Sequence, residues 1–510
     1  MSPQETIVDL LSGGVREAPA IGAPDRPWMT YLQLGSQAAS VTAALNGLGI
    51  GRGDRVAIVL PNGPEMATAF VTVAAGATTA PLNPAYRADE FEFYLSDLSA
   101  RALIVQQGDD TPARDVARGL GLMVLELVPA DDGPAGAFQL HGSGGEIGGH
   151  TATGFADADD IALILHTSGT TSRPKMVPLS QANVCASARH IATTLQLSGA
   201  DRCLNIMPLF HIHGLIAAVL SSLAGGASVS CSPGFNALRF YAWLDAVTPS
   251  WYTAVPTMHQ AILARAGRNA DSIAQAKLRL IRSSSSSLPP QVMAELESTF
   301  GCPVIESYGM TEAAHQMASN PLPPAVRKPG SVGVAAGPEV AIMAETGDRL
   351  LPSGDTGEVV IRGPNVTQGY LDNPEANATA FSDGWFRTGD QGIIDADGYL
   401  TITGRLKEII NRGGEKISPR EVDEVLMDHP AVAQAVTFAV PHDRLGEDVS
   451  AAVVLAEGAQ ATEREIREFA AQRLADFKVP RRLLILDEIP KGATGKLQRI
   501  GLAEKLGLGQ

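Results

Sequence analysis

The chain has 510 residues, of which 45% are hydrophobic, and a formal net charge of −16. A chain of this length is too long for one hydrophobic core, which predicts roughly two to four domains or subdomains. The acidic balance disfavours nucleic acid as a main partner, because phosphate contacts need a basic face. The longest apolar stretches fall far short of the ~18–20 residues that cross a bilayer, so we expect no membrane insertion.

The N-terminus and the cysteines indicate where the protein works. Residues 1–5 show no basic region followed by an apolar one, so we expect no signal peptide. The cysteines lie far apart and form no Cys-x-x-Cys pair, which argues against a zinc site and a disulfide framework. They are Cys185, Cys203, Cys231 and Cys302. We therefore expect a cytoplasmic protein. The sequence leaves the oligomeric state open between a monomer and a homodimer.

The first third of the chain alternates short apolar runs with amphipathic segments. This rhythm predicts a largely parallel sheet covered by helices. The predicted elements, in chain order, are strand 55–60, helix 64–75, strand 78–82, helix 88–97, strand 101–105 and an exposed Gly-, Ala- and acid-rich connection at 130–150.

A loop of small residues then follows the apolar run 161–165, which is typical of a buried strand. Such a loop leaves backbone N–H groups uncovered and adds hydroxyl donors, as a polyphosphate site requires. It differs from the common P-loop because Pro174 precedes the lysine, so Lys175 cannot open a helix. A flexible surface turn is the alternative explanation. The predicted phosphate-binding residues are Thr167, Ser168, Gly169, Thr170, Thr171 and Lys175.

Strands and helices resume downstream, and the pattern then changes twice. Strands 251–255 and 278–282 are each followed by a helix, and strand 304–306 leads into Tyr-Gly-Met-Thr-Glu. Residues 330–403 read as a β subdomain of short strands and turns. From residue 405 onwards, helix 419–427, two strands, helix 463–474 and a final strand predict a small α+β unit long enough to fold alone.

Several short motifs occur in a fixed order along the chain. They are Tyr308-Gly309-Met310-Thr311-Glu312, Thr388-Gly389-Asp390, Gly404-Arg405-Leu406-Lys407-Glu408, Gly413-Gly414-Glu415-Lys416 and Pro490-Lys491-Gly492-Ala493-Thr494-Gly495-Lys496. In order and spacing, together with the phosphate loop, they resemble the adenylate-forming enzymes, which include acyl-CoA synthetases, luciferases and adenylation domains of peptide synthetases. Ser172 and Met176 depart from this resemblance, since relatives usually carry glycine there.

The resemblance covers nearly the whole chain and implies an α/β fold class. A large N-terminal domain of βα-type sheets plus a β subdomain would occupy residues 1–404. A small mobile α+β C-terminal domain would occupy residues 405–510 and rotate between two half-reactions. Loops at the carboxyl ends of the parallel strands would carry the substrate site.

The Tyr308 motif would hold the nucleotide and its metal. By the resemblance, Tyr308 stacks on adenine, Glu306 and Ser307 line the base, and Thr311 donates to the α-phosphate. Glu312 is an oxygen ligand suited to Mg²⁺, which takes few protein carboxylates besides phosphate oxygens. Taken singly, Tyr308 could instead be a core aromatic residue and Glu312 a surface carboxylate.

The later motifs would complete the nucleotide site and the catalytic cycle. Asp390, which follows a glycine in an expected turn, would accept the ribose hydroxyls, with Arg405 as a second hold. An Asx turn is the alternative explanation for Asp390. Lys407 would be the hinge, rather than an ordinary boundary lysine. Lys496 would stabilise charge that grows at the α-phosphate, rather than being a tail lysine.

The loop at Gly413-Gly414-Glu415 would line a tunnel for the pantetheine arm of coenzyme A. Only glycine lets a thin chain pass so close to the backbone. This role, like that of the hinge, comes from the resemblance.

Polar segments are expected to flank the acid pocket, where long-chain or aromatic acids would need apolar walls. They include Pro208–Gly214, with two histidines, and the serine run 283–287. These segments resemble oxalate–CoA ligases. By that resemblance His211, Ser285 and His315 would grip a distal carboxylate, whose charge would satisfy buried polar groups. The alternative is that both histidines are merely hydrogen-bonded structural residues.

The resemblance thus implies an ATP-dependent carboxylate–CoA ligase that works through an acyl-AMP intermediate and releases AMP and pyrophosphate. ATP, Mg²⁺ and coenzyme A are implied, with oxalate as the expected acid and malonate or another short acid as the alternative. Acyl transfer to a carrier protein is a rival, which the short segment after Lys496 weakens. A non-catalytic nucleotide-binding protein is a second rival, which the complete motif set argues against.

Overall fold

The structure is a computed structural model that describes residues 5–130, 132–143, 152–167, 174–490 and 499–508. The chain forms two compact units. The first comprises Met1–Gly169, Arg173–Val340 and Ile361–Phe386, and the second Thr170–Ser172, Ala341–Val360 and Arg387–Gln510. The second unit therefore joins the C-terminal region to segments that precede residue 404, and the domain boundary at 404–405 stays a prediction.

The strands of the described residues fall into two groups along the chain. The first group is β1 Pro19–Gly22, β2 Met29–Thr30, β3 Arg55–Val59, β4 Thr78–Pro81, β5 Ala102–Gln106, β6 Met123–Pro129, β7 Phe138–Ser143, β8 Ile161–Thr167, β9 Lys175–Ser180, β10 Arg202–Asn205, β11 Ser228–Cys231, β12 Trp251–Ala254, β13 Leu280–Ser283, β14 Val304–Met310, β15 His315–Ser319 and β16 Val334–Ala335. The second is β17 Glu339–Met343, β18 Thr356–Arg362, β19 Phe381–Ser382, β20 Trp385–Ile394, β21 Leu400–Arg405, β22 Ile410–Arg412, β23 Glu415–Ile417, β24 Val432–His442, β25 Gly446–Leu455 and β26 Arg482–Ile485.

Helices alternate with the strands of the first group and are sparser in the second. They are α1 Ile7–Ser12, α2 Tyr31–Gly47, α3 Pro64–Ala74, α4 Ala88–Asp97, α5 Pro112–Gly119, α6 Gln181–Thr194, α7 Ser221–Ala224, α8 Phe240–Val247, α9 Pro256–Leu263, α10 Ala270–Gln275, α11 Pro290–Phe300, α12 Pro374–Ala380, α13 Pro419–Met427, α14 Glu463–Ala471 and α15 Leu502–Lys505. A π-helix covers His213–Leu220, and short 3₁₀ helices cover Ala266–Arg268, Thr311–Ala313 and Asp476–Lys478.

Four sheets organise these strands within the part of the chain that the structure describes. Their orders are β16-β15-β14-β13-β12-β10-β11-β1-β2, β7-β6-β5-β3-β4-β8-β9, β17-β18-β20-β19 with β21 on β20, and β23-β22-β25-β24 with β26 on β25. The central strands of the first two sheets run parallel, as the βα rhythm predicts.

Successive side chains on the strands of the first two sheets point to opposite faces, which explains the layered packing of these sheets. Val56 and Ile58 of β3 face one hydrophobic cluster, while Ala57 and Val59 face another. The first of these clusters also contains most of α3 and the π-helix, which are fully or nearly fully buried. Strands that are apolar on both faces are typical of parallel sheets covered by helices on both sides. The predicted α/β fold class is confirmed.

Local signals place most helix starts where the sequence predicts them. Pro64 occupies the first turn of α3, where its missing N–H costs nothing, and Ser180 and Thr462 form capping boxes at α6 and α14. The predicted bounds of α4 and α13 match the structure, and most strand bounds agree within two residues. Helix α14 ends three residues before the predicted end.

Two local predictions differ from the structure. The connection expected at 130–150 includes strand β7, which pairs with β6 because Leu140 alternates inward beside Phe138. Thr388-Gly389-Asp390 was expected in a turn, but it lies within β20, where the chain is extended and Gly389 alone takes a positive φ of 73°. The third sheet otherwise occupies the region predicted to be a β subdomain.

Two further observations concern the cysteines and the length of the apolar helices. All four cysteines are buried, and burial raises the pKa of Cys231 and of Cys302 to about 12. Among the described residues, no helix is both long enough and apolar enough to span a bilayer.

Candidate active site

The predicted phosphate loop joins two antiparallel strands. β8 and β9 pair in a register that sets Thr167 opposite Lys175, and Thr167 Oγ1 lies 3.4 Å from the Lys175 carbonyl oxygen. The two ends of the loop are thus held together by a hairpin. The four residues Ser168, Gly169, Thr170 and Thr171 lie outside the described part of the chain.

The Tyr308 motif forms the end of β14 and the tight turn into β15. Thr311–Ala313 make one 3₁₀ turn, after which Ala314 and His315 have positive φ angles of 46° and 102°. Gly309 is required opposite this turn, because a Cβ there would lie 1.9 Å from the His315 carbonyl oxygen. The turn thereby brings Glu312 and His315 to the carboxyl end of the central strands.

Glu306 and Ser307 connect β14 to the serine run that follows β13. Glu306 is buried, and its Oε1 accepts a hydrogen bond of 2.9 Å from the Leu288 backbone N–H. Ser284 Oγ donates to the Ser307 carbonyl oxygen at 2.9 Å. In these contacts Glu306 and Ser307 position the serine loop; their predicted contact with the base stays a prediction.

Tyr370 links the predicted metal ligand to the predicted phosphate lysine. Its hydroxyl donates to Glu312 Oε1 at 2.9 Å, and Lys175 Nζ lies 4.3 Å from the centre of its ring. The first contact is a hydrogen bond to a carboxylate and the second a cation–π contact, so both are electrostatically favourable. Tyr370 is not identifiable from the sequence, because a tyrosine after a glycine in a β-rich segment carries no signal of this contact.

A chain of hydrogen bonds runs from the sheet interior to the serine loop. His213, at the start of the π-helix, is fully buried, and its Nδ1 lies 3.0 Å from Ser285 Oγ. Its Nε2 lies 2.6 Å from Thr253 Oγ1 on β12. The ring of His213 also packs edge-on against that of His315, with centroids 5.0 Å apart. Two of the three predicted acid-binding residues therefore converge on His213.

The third predicted acid-binding residue, His211, occupies the loop before the π-helix. It is partly exposed, and its Nδ1 accepts a hydrogen bond of 3.3 Å from the His213 backbone N–H. His213 is the histidine that contacts Ser285. The sequence pattern His-x-His could not decide between the two residues, since only the start of the π-helix determines which ring faces inward.

Arg282 lies beneath this cluster on β13. Leu280 faces the layer between the first two sheets and Ile281 faces the opposite side, so Arg282 points into the layer between the sheets. It is fully buried, and burial lowers the pKa of its guanidinium. Nη1 lies 3.5 Å from Thr253 Oγ1, and Nη2 lies 3.5 Å from His315 Nδ1 and 3.3 Å from Gln316 Oε1.

Backbone strain accompanies these side chains. Ser285 has a φ of 71° and His315 a φ of 102°, both in the region that favours glycine. Residues with side chains adopt such angles at a cost of about 1–3 kcal/mol each, and they cluster at functional sites. Two strained residues on either side of His213 thus mark the region where sequence analysis places the acid.

The predicted ribose-binding pair lies in the second unit. Asp390 on β20 is the register partner of Arg405 on β21, and Arg405 Nε lies 2.9 Å from Asp390 Oδ1. Asp390 is buried, whereas Arg405 is exposed. A carboxylate held in this way at a strand pair presents a fixed acceptor, as ribose hydroxyls require.

The remaining predicted residues occupy the connections that follow β21. Lys407 is exposed in a tight turn closed by hydrogen bonds from Glu408 N and Ile409 N to the Arg405 carbonyl oxygen. Gly413 and Gly414 have φ angles of 61° and 98°. The hairpin turn therefore favours glycine at both positions because of its backbone conformation, whether or not the turn lines a tunnel.

The last two predicted residues are Glu415 and Lys496. Glu415, which begins β23, is exposed. Lys496 lies outside the described residues.

Comparison with known proteins agrees with this arrangement. The AMP-binding enzyme family matches residues 14–371, and the AMP-binding enzyme C-terminal domain matches residues 421–496. An oxalate–CoA ligase of Arabidopsis thaliana is 48% identical over 88% of this chain and 88% of its own length. An oxalate–CoA ligase of Saccharomyces cerevisiae is 42% identical over 89% of this chain and 87% of its own.

One solved structure with the same fold contains a bound nucleotide. ATP-bound MatB from Rhodopseudomonas palustris superimposes with a TM-score of 0.87 at 29% identity, covering 98% of this chain and 99% of that one. The family match extends over more than half of the chain, and both relatives are aligned over most of their length. The chain therefore belongs to the AMP-binding enzyme family.

Proposed function

We propose that this protein is an ATP-dependent oxalate–CoA ligase. A carboxylate of the acid attacks the α-phosphate of ATP, forming an acyl-adenylate and releasing pyrophosphate. The thiol of coenzyme A then attacks the acyl carbon, forming the thioester and releasing AMP. The protein supplies position and charge in both steps, so no acid–base dyad is needed.

The cluster of polar side chains in the predicted acid-binding region is the observation that carries the choice of acid. Ser285, His213 and His315 form one cluster, and Arg282 is buried beneath it. An apolar acyl chain could make no hydrogen bond with this polar cluster, and displacing water from a polar group without replacing its hydrogen bond costs about 1–3 kcal/mol. A second carboxylate one bond away from the reacting one would accept their hydrogen bonds. The two related oxalate–CoA ligases support the same acid.

The nucleotide would be held from both ends of the motif series. Lys175 and the loop before it would bind the β- and γ-phosphates, Tyr308 the adenine and Thr311 the α-phosphate. Asp390 and Arg405 would bind the ribose. Each group has the chemistry for its partner, and the buried Asp390 carboxylate is already held by Arg405.

The Glu312 carboxylate fits a magnesium ion, which usually takes one or two protein carboxylates and completes its shell with phosphate oxygens and water. Glu312 is only 6% exposed, and Tyr370 fixes its orientation. Mg²⁺ bound there would neutralise charge on the phosphates. Tyr370 would hold the Glu312 carboxylate in place as the metal ligand.

A substrate panel tests the proposal. AMP release that depends on coenzyme A should be measured with oxalate, malonate, acetate and octanoate under the same conditions. We expect oxalate to have the highest kcat/KM. A higher kcat/KM for malonate than for oxalate would support the ligase activity but identify malonate as the preferred acid. Release of AMP that required a carrier protein instead of coenzyme A would support acyl transfer.

A further inference from the structure

Arg282 is the one arginine among the described residues that is fully buried. The side chains of Arg387, Arg412 and Arg499 are each largely buried, and each pairs with a carboxylate. Arg282 is fully buried, and its contacts in the described residues are Thr253, His315 and Gln316, which are all neutral acceptors. Its Nε has no hydrogen-bond partner there. A buried cation without an anion is costly and calls for an explanation.

Because a guanidinium can only donate hydrogen bonds, Arg282 gives a direction to the groups around it. It donates to Thr253 Oγ1, whose own proton is then directed to His213 Nε2, 2.6 Å away. His213 Nδ1–H donates in turn to Ser285 Oγ at 3.0 Å, and this leaves the Ser285 proton for the pocket.

This route from Arg282 to Ser285 is one branch of the hydrogen-bond network, and a second, shorter branch runs from Arg282 to His315. Arg282 Nη2 donates to His315 Nδ1 at 3.5 Å, which places the His315 proton on Nε2. Both branches thus end in a hydrogen-bond donor, and the positive charge behind them polarises each one.

We propose that Arg282 is the positioning residue that makes the pocket selective for a second carboxylate, acting through Thr253 and His213 on Ser285 and directly on His315. This proposal rests on the proposed function. Substrate binding would bring an anion to the Ser285 and His315 donors, and this anion would compensate the charge of Arg282 through the side chains that lie between them. A monocarboxylic acid such as acetate offers no such anion.

Arg282→Met tests the charge while preserving much of the side-chain volume. Purified full-length variants should be assayed with oxalate and with acetate. We expect kcat/KM for oxalate to fall roughly ten- to a hundredfold, mainly through KM, because a hydrogen-bonded charge contributes on this scale. The value for acetate should change far less, and KM for ATP should stay close to that of the wild type. Arg282→Lys should recover part of the oxalate activity.

Arg279→Met is the matched control. Arg279 immediately precedes β13, but it pairs with Asp201 at 3.1 Å and its side chain is 36% exposed. Its loss should leave the ratio of oxalate to acetate activity unchanged. An equal fall for both acids in Arg282→Met, or an unchanged ratio, would overturn the proposal.

Thr253→Val provides a second route if Arg282→Met does not fold. It keeps the shape of a fully buried residue and removes the hydroxyl that joins Arg282 to His213. Oxalate activity should fall selectively, and Thr253→Ser should restore it. A wild-type ratio in Thr253→Val would count against the proposal. Wild-type protein that fails to use oxalate would instead contradict the proposed function, so the two failures are distinguishable.

Discussion

The Tyr370 hydroxyl donates a hydrogen bond of 2.9 Å to Glu312 Oε1, and so joins two parts of the chain that are 58 residues apart. The same tyrosine lies under Lys175 Nζ. One aromatic residue therefore fixes the relative positions of the proposed metal ligand and the proposed phosphate-binding lysine.

Tyr370→Phe should slow adenylate formation roughly ten- to a hundredfold, since it removes one hydrogen bond to a charged group and keeps the ring. The measurement is the rate of ATP–pyrophosphate exchange in the presence of oxalate. Tyr370→Leu removes the ring as well and should in addition raise KM for ATP. Exchange at the wild-type rate in Tyr370→Phe would mean that the hydrogen bond does not contribute.

Glu312→Gln should weaken the Mg²⁺-dependent activity, because the metal binds less tightly. The amide keeps the shape of the side chain but removes one anionic ligand, so activity should recover in part when Mg²⁺ is raised. The test is a titration of activity against Mg²⁺ concentration. A curve that superimposes on that of the wild type would remove Glu312 from the metal site.

Lys496→Ala should abolish adenylate formation and largely spare thioester formation from pre-made acyl-AMP. The reason is that a cation is needed where charge grows at the α-phosphate, which happens only in the first half-reaction. Lys491→Ala, in the same segment, is the control and should affect neither step strongly. Equal losses in the two half-reactions would argue against this role for Lys496.

Lys407→Pro should have the opposite effect. Proline fixes φ and is disfavoured at the third position of a tight turn, where Lys407 lies between Arg405 and Glu408. Pyrophosphate exchange should survive, and thioester output should collapse. Lys407→Ala removes the charge but leaves φ unrestricted, so its effect should be much smaller. Full turnover in Lys407→Pro would exclude Lys407 as the pivot.

Ser285→Ala and His315→Ala should each lower kcat/KM for oxalate roughly ten- to a hundredfold and acetate far less, with ATP binding near normal. Each removes one donor to the distal carboxylate. His211→Ala is a useful comparison, because the structure brings His213 rather than His211 into contact with Ser285. A larger oxalate defect in His211→Ala than in His315→Ala would reverse the proposed order of importance.

The fold and the motif positions could be predicted from sequence because they depend on local signals. Proline at N1 and capping residues determine helix starts, and continuous apolar runs identify the central strands. Asp390 was misplaced in a turn because the glycine before it carries a turn signal. Pairing with β21 overrides that signal, since Asp390 aligns with Arg405 across the sheet.

The acid pocket was only partly predictable. Ser285 and His315 followed from the resemblance, but Thr253, His213 and Arg282 contribute through contacts between residues 29 to 72 positions apart. One signal was available: Arg282, like Arg279, is a cation within the predicted strand 278–282, which must be buried as a central strand of a parallel sheet. The face on which it lies could be known only once β13 was paired on both sides.

The positive φ angles of Ser285 and His315 have a consequence for protein engineering. Any search for heat resistance should favour glycine at these positions, because relief of strain at each is worth about 1–3 kcal/mol. The variants enriched in this way would keep ATP turnover with simple acids and lose their preference for the diacid. A durable catalyst for oxalate must therefore gain its stability at sites distant from these two residues.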